Sequence, residues 1–247
     1  VRLTVLGSNG TYPTPGRPAS GYLVTSGGTT VMLDCGPGTF TALLEREVMP
    51  DAIVLTHRHG DHCLDVLPLF NHLRFDRPDV SGVPVLAPRG VYGRLAEFAG
   101  AGPGHSFHDV FESRSIEPGD EVSLGSLVVS FGAAVHPVPA VVVSVSDGER
   151  RLVYSGDTGP GGDLLEIAAG ADLLLCEATH QGSIPTDRYE YHLFAVEAGR
   201  VARQADVGRL LVTHVAPTLD PAVSLAEAAS TFDGPVDHAA PGLEVEV

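Results

Sequence analysis

Residues 2 to 6 alternate apolar and polar positions with the period of two that marks a strand, and the run ends at Gly7-Ser8-Asn9-Gly10. The Pro- and Gly-rich stretch from Thr11 to Ala19 reads as a surface loop. Residues 21–25 and 30–34 read as a hairpin about Ser26-Gly27-Gly28. Cys35-Gly36-Pro37-Gly38 breaks the second of these strands and starts a helix through about Glu47. The apolar run 52–55 predicts the next strand, and a helical pattern follows from Leu64 to Phe75.

Further on, the pattern predicts a strand over 83–87, a helix over 91–99 and a loop over 100–109 that carries His105 and His108. Strands follow at 110–116, 121–124 and 127–135, then a hairpin of 141–145 and 151–154 across Asp147-Gly148. The remainder alternates helix 163–169, strand 172–176, a loop with His180, helix 192–204, strand 209–212, helix 221–231 and a last strand from Leu243. Meanders followed by strand–helix alternation, in two halves of similar make-up, suit an α/β fold of two mixed β-sheets packed face to face with helices outside, a four-layer αββα sandwich. No linker, low-complexity segment or short repeat divides the chain, so residues 1–247 are expected to form a single domain.

Composition narrows this picture in three ways. Apolar residues make up 43% of the 247, enough for a large core, and no run approaches the roughly 18 consecutive apolar residues of a membrane span. With no charged start followed by an apolar signal core, a cytoplasmic protein is expected. The formal charge is −16, from 15 basic and 31 acidic residues, and there is no lysine, so every cationic side chain is an arginine. Such a field repels polyanions and disfavours nucleic acid as a partner. Cys35, Cys63 and Cys176 are too few and too scattered for a disulfide framework and read as buried thiols.

The candidate chemistry is concentrated in Leu55-Thr56-His57-Arg58-His59-Gly60-Asp61-His62, which puts three imidazoles and one carboxylate within six residues, directly after a predicted strand. Imidazole and carboxylate oxygen together suit borderline metals such as zinc, manganese or iron. In an extended loop His57 and His59 can face one metal, and the turn at Gly60 lets Asp61 and His62 face a second. His136, Asp157 and His214 also follow predicted strand ends, and four such ends can converge on one edge of a sandwich.

The H-x-H-x-D-H run resembles the metal-binding signature of the metallo-β-lactamase fold hydrolases. The resemblance extends through Leu6-Gly7-Ser8, Leu33-Asp34-Cys35-Gly36, the lone His136, Ser155-Gly156-Asp157-Thr158, Cys176-Glu177-Ala178 and Thr213-His214. It implies the αββα sandwich and two divalent metal ions, zinc first among them, with manganese or iron as alternatives. On that pattern His57, His59 and His136 hold one metal, Asp61, His62 and His214 hold the other, and Asp157 bridges them. The implied nucleophile is a metal-bridging hydroxide, so Asp61 counts among the catalytic residues as well as the ligands. An Asp rather than a Cys at position 157 resembles the phosphodiesterase, RNase Z and glyoxalase II branches. His192 resembles the helix-start histidine of the RNase Z branch and Glu177 its acidic partner, which implies His192 as general acid and Glu177 as its orienter. His180 is a second candidate near the site. Arg58, within the motif, is a candidate for a substrate phosphate; Arg74 or Arg77 could also meet one, though surface ion pairing is the expected fate of these two, while His72 is expected to be packed or on the surface and His105, His108 and His238 to sit solvated in loops.

His136 and Asp157 are only 21 positions apart, room for one hairpin and none for the arm with which RNase Z enzymes grip tRNA. Ala19-Ser20-Gly21-Tyr22-Leu23, Asp61-His62-Cys63-Leu64-Asp65, Tyr154-Ser155-Gly156-Asp157-Thr158-Gly159 and Phe232-Asp233-Gly234-Pro235-Val236 resemble the small actinobacterial phosphodiesterases of this fold. The expectation is a binuclear phosphodiesterase acting on a small phosphodiester such as a cyclic nucleotide. A thioester or lactone hydrolase, an RNase Z-like RNA processor and a non-catalytic metal-binding protein are the alternatives. The resemblance also makes a homodimer an expectation.

Overall fold

The computed structural model describes all 247 residues, Val1–Val247. β1 (Arg2–Gly7), β2 (Gly21–Ser26) and β3 (Thr29–Leu33) form an antiparallel meander. Ser26 pairs with Thr29, and the two residues between them, Gly27 and Gly28, both have positive φ, 53° and 85°. A two-residue turn of this kind matches the right-handed twist of the flanking strands. Helices then carry the chain across to parallel neighbours. α1 (Thr39–Glu45) leads to β4 (Ala52–Val54), α2 (Gly60–Cys63) and α3 (Val66–Phe75) to β5 (Val83–Pro88), and α4 (Val91–Phe98) and α5 (Phe107–Val110) to β6 (Phe111–Ile116).

The second half repeats the scheme. β7 (Glu121–Leu124), β8 (Leu127–Ala133), β9 (Val141–Ser146) and β10 (Arg151–Tyr154) are antiparallel. α6 (Leu164–Ala168), β11 (Leu173–Glu177), α7 (Ala195–Gln204), β12 (Leu210–Thr213), α8 (Pro221–Ala229) and β13 (Val236–His238) continue it with parallel pairings. β14 (Glu244–Glu246) returns to pair with β1. The result is two seven-stranded mixed sheets, β14-β1-β2-β3-β4-β5-β6 and β13-β12-β11-β10-β9-β8-β7.

Strand alternation sorts the side chains into three layers. Val31 and Leu33 of β3 and Val143 and Val145 of β9 point into the interface between the sheets. Met32 and Ile53 point the other way, under Leu43, Leu69 and Leu95 of the helices. Val153, Leu174 and Val212 do the same beneath Ala198, Ala202 and Ala228. The parallel strands are apolar on both faces because both are covered, and this is the αββα sandwich expected from the sequence. No helix is long and apolar enough to cross a membrane.

Three elements differ from the sequence reading. The 100–109 loop ends in the short α5, which includes His108. His238, expected in a loop, lies in β13, a three-residue strand too short to show a period. α7 starts at Ala195 rather than at 192, because the preceding residues are held extended: the His180 amide donates to the Leu193 carbonyl at 3.2 Å and the Ala195 amide to the His180 carbonyl at 3.0 Å. Glu197 Oε2 then accepts from the Phe194 amide at 2.9 Å and caps the helix.

Candidate metal centre and active site

Five strands deliver the polar groups to one edge of the sandwich. His57 follows β4, His136 follows β8, Asp157 follows β10, Glu177 ends β11 and His214 follows β12. The loop between β4 and α2 packs closely on the end of β3. A Cβ on Gly36 would lie 1.9 Å from the Asp61 carbonyl oxygen, so only glycine fits there. His214 has φ 52°, a left-handed conformation uncommon for a residue with a side chain, and its amide donates to the Ser8 carbonyl at 2.9 Å.

The structure gathers these side chains into two groups that share Asp157. Ligating atoms of His57, His59, His136 and Asp157 all lie within 4.8 Å of one another, and so do those of Asp61, His62, Asp157 and His214. Asp157 Oδ2 is 3.7 Å from His57 Nε2, while Oδ1 is 3.2 Å from His62 Nε2 and 3.3 Å from His214 Nε2. Asp61 Oδ2 is 3.3 Å from His214 Nε2 and accepts from the Thr11 amide at 2.9 Å.

The partners behind each ring decide its tautomer. Thr56 Oγ1 donates to Asp34, so it accepts from His57 Nδ1 at 3.0 Å. His62 Nδ1 donates to Asp34 Oδ2 at 2.7 Å. Thr179 Oγ1 donates to Glu177 Oε2 at 2.7 Å and accepts from His214 Nδ1 at 2.8 Å. His136 Nδ1 faces the Tyr191 carbonyl at 3.3 Å, which can only accept. Four rings thus spend their Nδ1 proton outward and turn Nε2 inward, the arrangement that raises ligand basicity in metal sites. His136 Nε2 meets His59 Nδ1 at 3.1 Å, and His62 Nε2 meets His214 Nε2 at 3.3 Å.

This donor set fits a divalent metal. Ring nitrogens at such distances repel unless a proton or a metal cation lies between them. His57 Nε2 is buried without a hydrogen-bond partner, an arrangement that costs free energy in an apolar interior. Burial opposes charge on His62, yet Asp157 and Asp34 outweigh it and hold its pKa well above the usual histidine value. Burial likewise works against the Asp157 carboxylate, but His214 and His62 hold its pKa well below the usual range. Burial pushes His57 well below the ordinary histidine pKa. It also lowers His136, to about 4.

In the sequence Asp34 stands out only within Leu33-Asp34-Cys35-Gly36, and the structure makes it a hub. Fully buried, it accepts from the Thr56 amide at 2.7 Å, His62 Nδ1 at 2.7 Å and Tyr154 Oη at 2.8 Å. Thr56, Tyr154, Thr179 and Arg188 also surround the site, with no signal of their own in the sequence. Each carries a side chain common in strands and loops, and only the pairing of distant segments reveals its role.

Beside the two groups, His192 Nδ1 lies 3.0 Å from Glu177 Oε1. Its ring stacks on His214 with centroids 5.7 Å apart and stands edge-on to His136 at 5.5 Å. Glu177 is fully buried and accepts in addition from the Thr158 amide at 2.7 Å and the Leu193 amide at 3.2 Å. Burial disfavours charge on His192, but Glu177 outweighs it and pushes the pKa up to about 9. His180 packs behind, its ring 6.0 Å from that of His192. Arg58 lines a cavity that also contains His59. Arg74 and Arg77 lie away from the site: Arg74 sits over Phe75, and Arg77 pairs with Asp79. All three cysteines are buried free thiols, and Cys63 Sγ donates to the His59 carbonyl at 3.2 Å.

Two back-to-back mixed sheets with a His/Asp cluster at their strand ends define a metallo-hydrolase of the metallo-β-lactamase fold, a class that binds divalent metal. The chain belongs to the beta-lactamase superfamily, whose domain profile matches residues 29–215. It is 38% identical over its whole length to an uncharacterized protein of Mycobacterium leprae, covering 89% of that protein. It is 31% identical to a ribonuclease Z of Haloferax volcanii, covering all of this chain and 95% of that one. The crystal structure of the metallo-β-lactamase fold protein YhfI from Bacillus subtilis superposes with a TM-score of 0.86 at 26% identity, covering 100% of this chain and 98% of that one.

Proposed function

We propose that the 247 residues form one binuclear metal-dependent phosphodiesterase domain whose substrate is a small phosphodiester such as a cyclic nucleotide. His57, His59 and His136 hold one metal, Asp61, His62 and His214 hold the other, and Asp157 serves both. Two divalent ions, zinc foremost with manganese and iron also suited to these donors, supply Lewis acidity and lower the pKa of water enough to provide a nucleophile at neutral pH.

The observation that carries the reading is the His192–Glu177 pair at 3.0 Å, beside both ligand groups. Glu177 accepts a hydrogen bond from Nδ1–H and fixes the ring, which leaves Nε2 as the atom that exchanges protons. An alkoxide leaving from phosphorus needs such a donor, and His192 Nε2 supplies its proton to the leaving oxygen. A thioester leaves as a stable thiolate and has less need of it.

A small diester is favoured over RNA. The segment between His136 and Asp157 is filled by the β9–β10 hairpin. The alignment with the H. volcanii ribonuclease Z spans 307 positions against 247 residues here, so that relative carries segments this chain lacks. The charge of −16 also opposes a polyanion. The test is turnover of bis-p-nitrophenyl phosphate, 3′,5′-cyclic AMP, a thioester and a lactone by the zinc- or manganese-loaded protein. Diester hydrolysis with little thioester or lactone hydrolysis is expected, and the reverse order overturns the reading.

A further inference from the structure

The largest concavity near the site is a cavity of about 870 Å³ on the His59 side, between the β4–α2 loop and α4. His59 and Gly60 form one wall, so it is continuous with the proposed metal centre. Val91, Leu95 and Phe98 of α4 line the opposite wall, at the i, i+4, i+7 spacing that puts them on one helix face. Val91 and Leu95 are buried in the core, but Phe98 is 76% exposed and presents an aromatic ring with nothing packed over it.

Arg58 and Arg94 line the same cavity. The arginines in ion pairs with carboxylates are Arg2, Arg77, Arg114, Arg150, Arg188 and Arg209. Arg58 and Arg94 are outside that set, and Glu97 is the one carboxylate on the lining. A chain with twice as many acidic as basic residues therefore keeps two uncommitted guanidinia beside its centre. Guanidinium forks match phosphate oxygens, and an exposed aromatic ring matches the face of a base.

We propose that this cavity binds the non-reacting arm of the substrate, and that this arm is a nucleoside carrying a second phosphate, with its base against Phe98 and its phosphate on Arg58 and Arg94. This deepens the phosphodiesterase reading and rests on it for the word substrate. It separates a nucleoside with an additional phosphate from a plain cyclic mononucleotide, which has only the phosphate that reacts.

The test is a binding measurement, independent of turnover. Calorimetry with the zinc-loaded protein would compare thymidine 3′,5′-bisphosphate with inorganic phosphate, for wild type, Arg94→Glu and Phe98→Ala. Both substitutions lie on the exposed part of α4, and unchanged Tm confirms folding. The bisphosphate is expected to bind at least tenfold more tightly than inorganic phosphate to wild type. Each variant is expected to lose tenfold or more for the bisphosphate while its affinity for inorganic phosphate stays within twofold. Equal binding of the two probes to wild type, or bisphosphate affinity unchanged in both variants, overturns the proposal. If bis-p-nitrophenyl phosphate is not hydrolysed but the bisphosphate still binds through Arg94 and Phe98, the phosphodiesterase reading falls and the subsite stands.

Discussion

His192 Nδ1 and Glu177 Oε1 are 3.0 Å apart, and the carboxylate is fully buried while the imidazole reaches the site. On the proposed reading this pair acts on the leaving group. His192→Ala should lower kcat for a diester with an alkyl leaving group by about 10²–10⁴, the range for a general acid. Bis-p-nitrophenyl phosphate, whose leaving group needs no proton, should lose far less. Equal losses on both substrates would remove His192 from the acid role.

Arg188 holds the segment that carries His192. Its guanidinium donates to the His192 carbonyl and to Glu197 Oε1, and it lies over the Phe194 ring at 5.1 Å. Arg188→Ala should therefore reproduce the leaving-group selectivity of His192→Ala at about a tenth of turnover, with KM little changed. Arg188→Lys should recover only part, because an ammonium cannot donate in the same fork. A uniform loss on both leaving groups would indicate a purely structural role.

Asp34 stands behind the ligands, accepting from Thr56, His62 and Tyr154. Removing such an outer partner costs about 10–100-fold in metal affinity. Asp34→Asn, which tolerates the left-handed backbone there (φ 56°), should show that loss in a chelator competition. Its buried donors would face an amide nitrogen, so the Tm of the metal-free chain should also fall. Unchanged metal affinity would show that Asp34 serves folding alone.

His238 has its pKa lowered by burial and by the neighbouring Arg17 charge. A lowered histidine pKa means that the unfolded chain binds the extra proton first. The stability it contributes is present above the unfolded value of about 6.5 and is lost as pH falls through the folded value. The Tm of wild type should therefore drop more between pH 7 and pH 5 than that of His238→Gln. Parallel pH curves would contradict the lowered pKa.

The sandwich was legible because its strands are short apolar runs bounded by turn residues and its meanders precede its strand–helix alternation. Val31, Met32 and Leu33 alternate between two different cores, as a strand's period of two requires. The positions of His57, His136, Asp157 and His214 at strand ends were legible for the same reason. What was not legible depends on contacts between distant segments. Asp34 and Tyr154 meet across 120 positions, and Thr179 and His214 across 35. α7 starts three residues later than the sequence pattern suggests because the bridge from His180 to Phe194, rather than local propensity, holds Phe194 extended. β13 leaves no sequence signal because three residues show no period.

The most direct measurement is metal content together with diester turnover for wild type and Asp157→Ala. Two metals per wild-type chain are expected by elemental analysis, with hydrolysis of bis-p-nitrophenyl phosphate. Asp157→Ala, which removes the carboxylate between the two ligand groups, should hold fewer metals and lose at least 10³-fold in turnover. Full metal content and undiminished turnover in that variant, or no diester hydrolysis by a wild-type chain holding two metals, would contradict the binuclear phosphodiesterase.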